Sequence, residues 1–190
     1  MRFTKSPETI TQRDMLMSWA VAEIDSKLPS SLGTMFAANP RAVAKTIAGA
    51  LSDEQEAAVL GALLYARSGV LGYIIKRPLT WYRGKVRLAD LADLKTMGYL
   101  AAAAPSRRMG ELARTPIKPV VRDIPKFQPR DMRGSLIAVS DRYDGDFCLV
   151  EGKSRCKEMI LLMDRGGVHE DTETDLILGI HEDIAQWSHW

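Results

Sequence analysis

The chain has little of what holds small secreted or metal-dependent proteins together. Its two cysteines, Cys148 and Cys156, are too few to staple 190 residues, and their spacing fits no zinc pattern. The three histidines, His169, His181 and His189, add no ligand cluster. No apolar run reaches the roughly 18–20 residues that a bilayer span requires, so no transmembrane segment is expected. The opening MRFTKSPETITQRD carries charge but no apolar h-region, which excludes a secretory signal there and makes the cytoplasm the expected location. There is no internal repeat and no low-complexity tract.

What is present is an ordinary globular composition, 46% hydrophobic and 26% charged, in a length that buries one core, or one core with a small helical subdomain. The net charge of +2 hides a gradient. Residues 1–76 hold 8 basic and 7 acidic side chains, residues 77–135 hold 13 and 5, and residues 136–190 hold 5 and 12. The middle stretch is therefore a candidate surface for anions, nucleic acid or an acidic partner. A solvated basic face balanced by the acidic last third explains the same numbers.

Residues 1–76 read as helical. Met15, Leu16, Trp19, Ala20 and Ile24 recur at three- and four-residue spacings within 8–27. Asn39-Pro40 opens a helix running to about Leu51. Ser52 and Gln55 form a capping-box pattern for a helix carrying Val59, Leu60, Leu63 and Leu64, expected to stop at Gly69. No recognition helix rich in Arg, Asn or Gln is visible, which argues against a helix-turn-helix. Beyond Pro78, residues 79–88 read as a hairpin or a single bent strand about Arg83-Gly84. A helix from Asp90 follows, with Leu91, Leu94 and Met97 on one side, and then a loose connection through Ala101–Ala104 and Pro105. Arg114, Lys118, Arg122, Lys126 and Arg130 repeat every four residues, but Pro116, Pro119, Pro125 and Pro129 exclude a helix, leaving an extended basic segment. Strands at 136–139, 147–150 and 176–180, a helix after residue 153 ending at Gly166-Gly167, and a short helical close from Glu182 complete the pattern.

The chemistry concentrates at Glu151-Gly152-Lys153-Ser154-Arg155, between the strand 147–150 and the helix. A strand that turns through glycine into a helix leaves the first helical amides unpaired at the positive end of the macrodipole, which favours an anion. Gly152 allows close backbone approach. Lys153 and Arg155 add charge, the latter with a fork matched to two phosphate oxygens. Ser154 caps the helix or donates to the ligand. A Walker loop is excluded, because Phe147 stands where that motif requires glycine. Glu151, the carboxylate nearest the turn, can position Mg²⁺ or polarise a water. Asp141, Asp144 and Asp146 resemble a metal-binding turn but lack the glycine and distal glutamate of a calcium loop, so turn formation is their expected use. Trp81, Tyr82 and Tyr143 are candidates for stacking on a base, with a core role favoured for Trp81.

The stretch from Cys148 through Gly152-Lys-Ser-Arg155 to Met159 resembles the ParB/sulfiredoxin superfamily, in which a strand runs into Gly-x-x-Arg at a helix start. The resemblance covers about residues 77–190. It implies an α+β fold, a ParB/sulfiredoxin-like mixed sheet with helices over 77–190, preceded by a small N-terminal helical region over 1–76. It also implies nucleoside triphosphate binding, ATP or another, at Gly152, Lys153, Ser154 and Arg155, with Mg²⁺ and with Glu151 and Arg155 as the catalytic residues. Lys153 stands where sulfiredoxins carry their reactive cysteine, so sulfinic-acid reduction is not expected. No helix-turn-helix region follows the signature, which sets the chain apart from chromosomal partition clamps. The remaining likeness is to plasmid fertility-inhibition members of the group. For these, ATPase and DNase activities directed against conjugative or type IV secretion transfer are the expectation, with DNA, nucleotide and a secretion component as partners, and a place in the cytoplasm or at the inner membrane through such a partner. A non-catalytic nucleotide- or DNA-binding module, and a protein–protein inhibitor docking through the N-terminal helices, are the competing readings.

Overall fold

The computed structural model describes residues 1–23, 51–115 and 134–187. The helix expected at Asn39-Pro40 and the basic, proline-rich run from Pro116 to Arg130 lie outside the described residues.

The architecture is α+β, built on one five-stranded mixed sheet of order β1-β2-β5-β3-β4. The strands are β1 (Glu8–Ile10), β2 (Thr80–Arg87), β3 (Leu136–Ser140), β4 (Cys148–Glu151) and β5 (Glu173–Ile180). β1 pairs antiparallel with β2, and β2 pairs antiparallel with β5 over eight residues, Thr80 facing Ile180 and Arg87 facing Glu173. β5 runs parallel to β3, and β3 antiparallel to β4. All five residues of β3 and the stretch Leu176–Gly179 of β5 are buried. These are the central strands, apolar on both faces because both faces are covered.

Two apolar layers result. On one face Ile10, Trp81, Ile137, Val139, Val150 and Ile177 meet α1 (Gln12–Glu23), α2 (Asp53–Ala66) and α3 (Ser68–Ile74) through Met15, Trp19, Val59, Leu63, Leu71 and Ile74. On the other, Val86, Leu136, Ala138, Leu149, Leu176 and Leu178 meet α4 (Met109–Arg114), α5 (Lys153–Asp164) and a 3₁₀ turn over Leu88–Asp93. The described helices of the 1–76 region therefore share an apolar cluster with the sheet of the 77–190 region, and β1 is a strand of that sheet.

Several local expectations hold. The Ser52–Gln55 capping box forms in both directions. Trp81 is a core residue, 1% exposed. Others change for identifiable reasons. The helix expected over 8–27 begins only at Gln12, because Glu8–Ile10 pairs with β2, and Thr11 and Asp14 exchange hydrogen bonds at the junction. Of the two readings of 79–88, the hairpin fails and the single strand holds at Thr80–Arg87, since the unbroken pairing with β5 carries it straight through Gly84. The helix expected from Asp90 is a 3₁₀ turn followed by extended chain. Leu88, Leu91, Leu94 and Met97 recur every three residues, the period of a 3₁₀ turn rather than an α-helix. Beyond Leu94 the backbone leaves the turn to bond β4: the Lys95 amide donates to Phe147, and the Leu149 amide donates to Lys95. The helix expected to stop at Gly69 stops at Ala66, and a second one begins at Ser68, bent by 112° from the first. Among the described residues no single helix is long and apolar enough to cross a membrane; only this bent pair has the length and composition together.

Gly179 gives Trp81 its place. A Cβ there would stand 2.6 Å from Trp81 Cζ3 and 2.7 Å from Leu79 Cδ2. We expect Gly179→Ala to lower stability by about 1–3 kcal/mol through overpacking against a rigid ring; urea unfolding followed by tryptophan fluorescence measures it, and an unchanged midpoint would contradict this packing.

Candidate functional site

β4 ends on Glu151, and Gly152 turns the chain into α5. Gly152 has φ +90°, a left-handed conformation that glycine adopts without strain, and it is the N-cap of the helix. A Cβ at this position would lie 2.5 Å from Leu136 Cδ2 and 3.0 Å from Arg155 Nη2. The first intrahelical bond runs from the Cys156 amide to the Gly152 carbonyl at 2.8 Å. The amides of Lys153, Ser154 and Arg155 precede it, so none has an acceptor within the helix. Ser154 is an exposed second helical residue, not the cap, because Gly152 takes that role.

Arg155 does not project from this turn. Its guanidinium folds back over Gly152 and is 8% exposed, with Nη1 donating to the Gly134 carbonyl and Nη2 to the Ser135 carbonyl at 3.2 Å. Glu151 Oε1 lies 3.5 Å from Nη2. The fork matched to phosphate oxygens is thus turned onto two main-chain carbonyls and one carboxylate.

Two residues with no motif around them complete this arrangement. Glu23, the last residue of α1 and 1% exposed, accepts from Trp19 Nε1 at 3.3 Å and pairs with Arg67, which joins α2 to α3. Arg67 also reaches Glu151 Oε2 at 3.8 Å. Glu23, Arg67, Glu151 and Arg155 form a largely buried quartet of two carboxylates and two guanidiniums, drawing one charged group from each of four segments. Burial raises the Glu151 carboxyl to about 6, with the neighbouring Glu23 carboxylate adding to the rise, while Arg155 and Arg67 oppose it.

Lys153 points to a second neighbourhood. Its ammonium contacts the Tyr99 hydroxyl and lies 4.5 Å from that ring's centroid. Tyr99 is 56% exposed. The positive charges of Arg107, Lys95 and Lys153 all act on Cys148, which places three cations around the strand that feeds the turn. Arg107 has φ +57°, the one non-glycine in the left-handed region among the described residues, and its Nη2 donates to the Thr96 carbonyl at 3.3 Å. The Thr96 hydroxyl is fully buried and has no hydrogen-bond partner. Lys95 pairs with Asp146 at 2.9 Å.

The expected residues therefore separate. Glu151 and Arg155 belong to the buried quartet, Lys153 to the cationic neighbourhood, and Gly152 with Ser154 stands between them. Glu23, Arg67, Lys95, Tyr99 and Arg107 carried no sequence signal beyond being charged or aromatic. The Asp141–Asp146 turn is dispersed, Asp146 pairing with Lys95 and Arg108 and Asp144 with Arg142. Among the described residues no three His, Cys, Asp or Glu side chains converge on a metal position. Both cysteines are buried, and burial raises their thiols, Cys148 to about 11. Comparison with protein-family models, with curated proteins and with solved structures returned no match.

Two measurements follow from the quartet. Arg155→Met leaves the Gly134 and Ser135 carbonyls and the Glu151 carboxylate without their buried cation, and should cost about 3–5 kcal/mol in chemical denaturation; a loss under 1 kcal/mol would show that the guanidinium is not structural. The folded state holds the Glu151 proton to higher pH than the unfolded chain does. Glu151 therefore subtracts stability as pH rises from its ordinary value of 4.5 through about 6, and the full subtraction is present above that. Glu151→Gln should gain stability relative to wild type between pH 5 and pH 7, by on the order of 1 kcal/mol; a parallel pH profile for the two proteins would contradict it.

Proposed function

We propose that the chain binds the phosphates of a nucleoside triphosphate at the β4–α5 turn, hydrolyses it, and cleaves DNA so as to block plasmid transfer through a type IV secretion system. The observation that carries the binding half is the cationic neighbourhood at the open end of α5. At this end of a 12-residue helix the first three amides have no acceptor within the helix, Lys153 adds an ammonium in the same turn, and the charges of Lys95 and Arg107 act on Cys148 in the strand that leads to it. The partnerless, fully buried Thr96 hydroxyl beside Arg107 suits a bound water, since a buried polar group lacking a bond is costly.

In this reading Lys153 and the amides of residues 153–155 hold the phosphate, and Ser154 donates from the exposed side. Arg155 acts by position, fixing Glu151 and the strand entry at Gly134-Ser135. Glu151 has a carboxyl that takes up a proton close to neutrality, as a general base requires, and it adjoins the turn through Gly152. The quartet fits Mg²⁺ poorly, because two guanidiniums already neutralise its two carboxylates. Any magnesium would arrive on the nucleotide with most of its water shell, neutralising phosphate charge, and no step is assigned through it. DNA cleavage and the secretion partner rest on the ParB/sulfiredoxin resemblance, as does a cytoplasmic or inner-membrane-associated place of action.

The inward turn of Arg155 favours a second reading, a nucleotide-binding module without turnover, in which the quartet is purely structural. Equilibrium binding of ATP separates from turnover here. Lys153→Ala should weaken ATP binding by about 10- to 100-fold, the worth of a charge-assisted contact. Wild-type affinity in Lys153→Ala would remove the site. Tight binding with no phosphate release and no nicking of plasmid DNA would select the module.

A further inference from the structure

Away from the β4–α5 turn, three aromatic rings meet at the end of β3. Tyr143, in the turn after that strand, makes a T-shaped contact with Tyr82 of β2, with centroids 5.6 Å apart and planes at 82°. Phe3 lies against the same ring at 6.0 Å and 44°. Phe3 is seated by the backbone of β2: Thr4 donates from its amide to the Lys85 carbonyl at 2.9 Å, and a Cβ on Gly84 would stand only 2.6 Å from Phe3 Cδ1. The missing side chain of Gly84 is therefore the space that Phe3 occupies. Tyr82 and Phe3 are partly buried, and they hold Tyr143 in an orientation that leaves 43% of it exposed.

A T-shaped contact engages at most one face of either ring, and the 43% exposure of Tyr143 leaves part of its ring open to a further partner. The surroundings fit an anionic strand with flat groups. Arg142 is adjacent and exposed, in a loose pair with Asp144 at 3.6 Å. On the other side a groove of about 530 Å³ is lined by Met1, Arg2, Phe3, Thr4, Arg87 and Asp90. Arg2 is exposed at its mouth, while Arg87 is paired with Asp90 at 3.2 Å. Paired bases cannot reach a ring of this kind, because both faces of each base are stacked within the duplex. An unpaired base can, and stacking of that sort accepts any base.

We propose that the Phe3–Tyr82–Tyr143 cluster is a stacking platform for an unpaired base of single-stranded nucleic acid, with Arg142 and Arg2 contacting the flanking phosphates. The proposal rests on the nucleic-acid part of the reading above and names the form of strand recognised. It does not depend on the phosphate turn, from which these residues are separate.

The test is fluorescence anisotropy with a labelled oligothymidylate and a duplex of equal length, using the full chain, Tyr143→Ala and Tyr143→Phe. Tyr143→Ala should weaken oligothymidylate binding by about 5- to 100-fold and leave the duplex within about two-fold. Tyr143→Phe, which keeps the ring, should bind like wild type. ATP binding by the Tyr143→Ala protein reports on the β4–α5 turn separately and should be unchanged, so failure of one site is distinguishable from failure of the other. Thermal melts confirm folding of these surface variants. The platform is overturned if Tyr143→Ala binds the single strand as wild type does, if Tyr143→Phe is as weak as Tyr143→Ala, if duplex binding falls equally, or if wild type does not bind the single strand.

Discussion

The structure turns on one guanidinium. Arg155 lies across Gly152 and binds the carbonyls of Gly134 and Ser135, so the first turn of α5 is tied to the entry of β3. The same group neutralises Glu151, and through Glu151 and Arg67 the tie extends to Glu23 at the end of α1. Four segments that are distant in sequence are thereby fixed by charge around a single glycine. The glycine is needed twice, once for its left-handed backbone and once for the space that the guanidinium fills. A buried quartet of this kind adds little net stability over an apolar replacement, but removing one member strands the others, which makes the set mutually dependent.

That dependence gives the Gly-x-x-Arg spacing a physical account that needs no ligand. Position 152 must lack a side chain, and the arginine at position 155 reaches back into the space this leaves. Lys153, in the same turn, points the other way, its ammonium meeting the exposed Tyr99. Neighbouring residues of one turn thus face opposite ways, Arg155 buried among carbonyls and a carboxylate and Lys153 against an exposed ring.

The sheet was legible where the pattern was long and apolar. Leu136–Val139, Phe147–Val150 and Leu176–Ile180 read as strands because burial on both faces leaves continuous apolar runs, and the helix after Gly152 followed from its punctuation. The cap at Ser52 was legible because its signal is local. Failures came where pairing partners are remote. Glu8–Ile10 is a strand only because Arg83–Trp81 lies beside it, and Lys95 leaves its turn only because β4 offers a free edge. At the candidate site the sequence gathers Glu151 to Arg155 and hides Glu23 and Arg67, which are single charged residues in helical context. Nothing in a helical period distinguishes a carboxylate facing water from one buried under a tryptophan.

β5 is the last strand in the sequence and the middle one in space. Among the described residues it alone pairs with both the β1–β2 half of the sheet and the β3–β4 half. Its partner β2 lies far from it in sequence, Arg87 pairing with Glu173 and Thr80 with Ile180, so the cross-strand pairing is dominated by contacts of long sequence separation, which slow folding. During synthesis the earlier strands therefore wait with open edges until residues 173–180 have emerged. Through that interval the apolar strand β3 lacks its parallel neighbour, and an unpaired apolar edge is where association between chains begins.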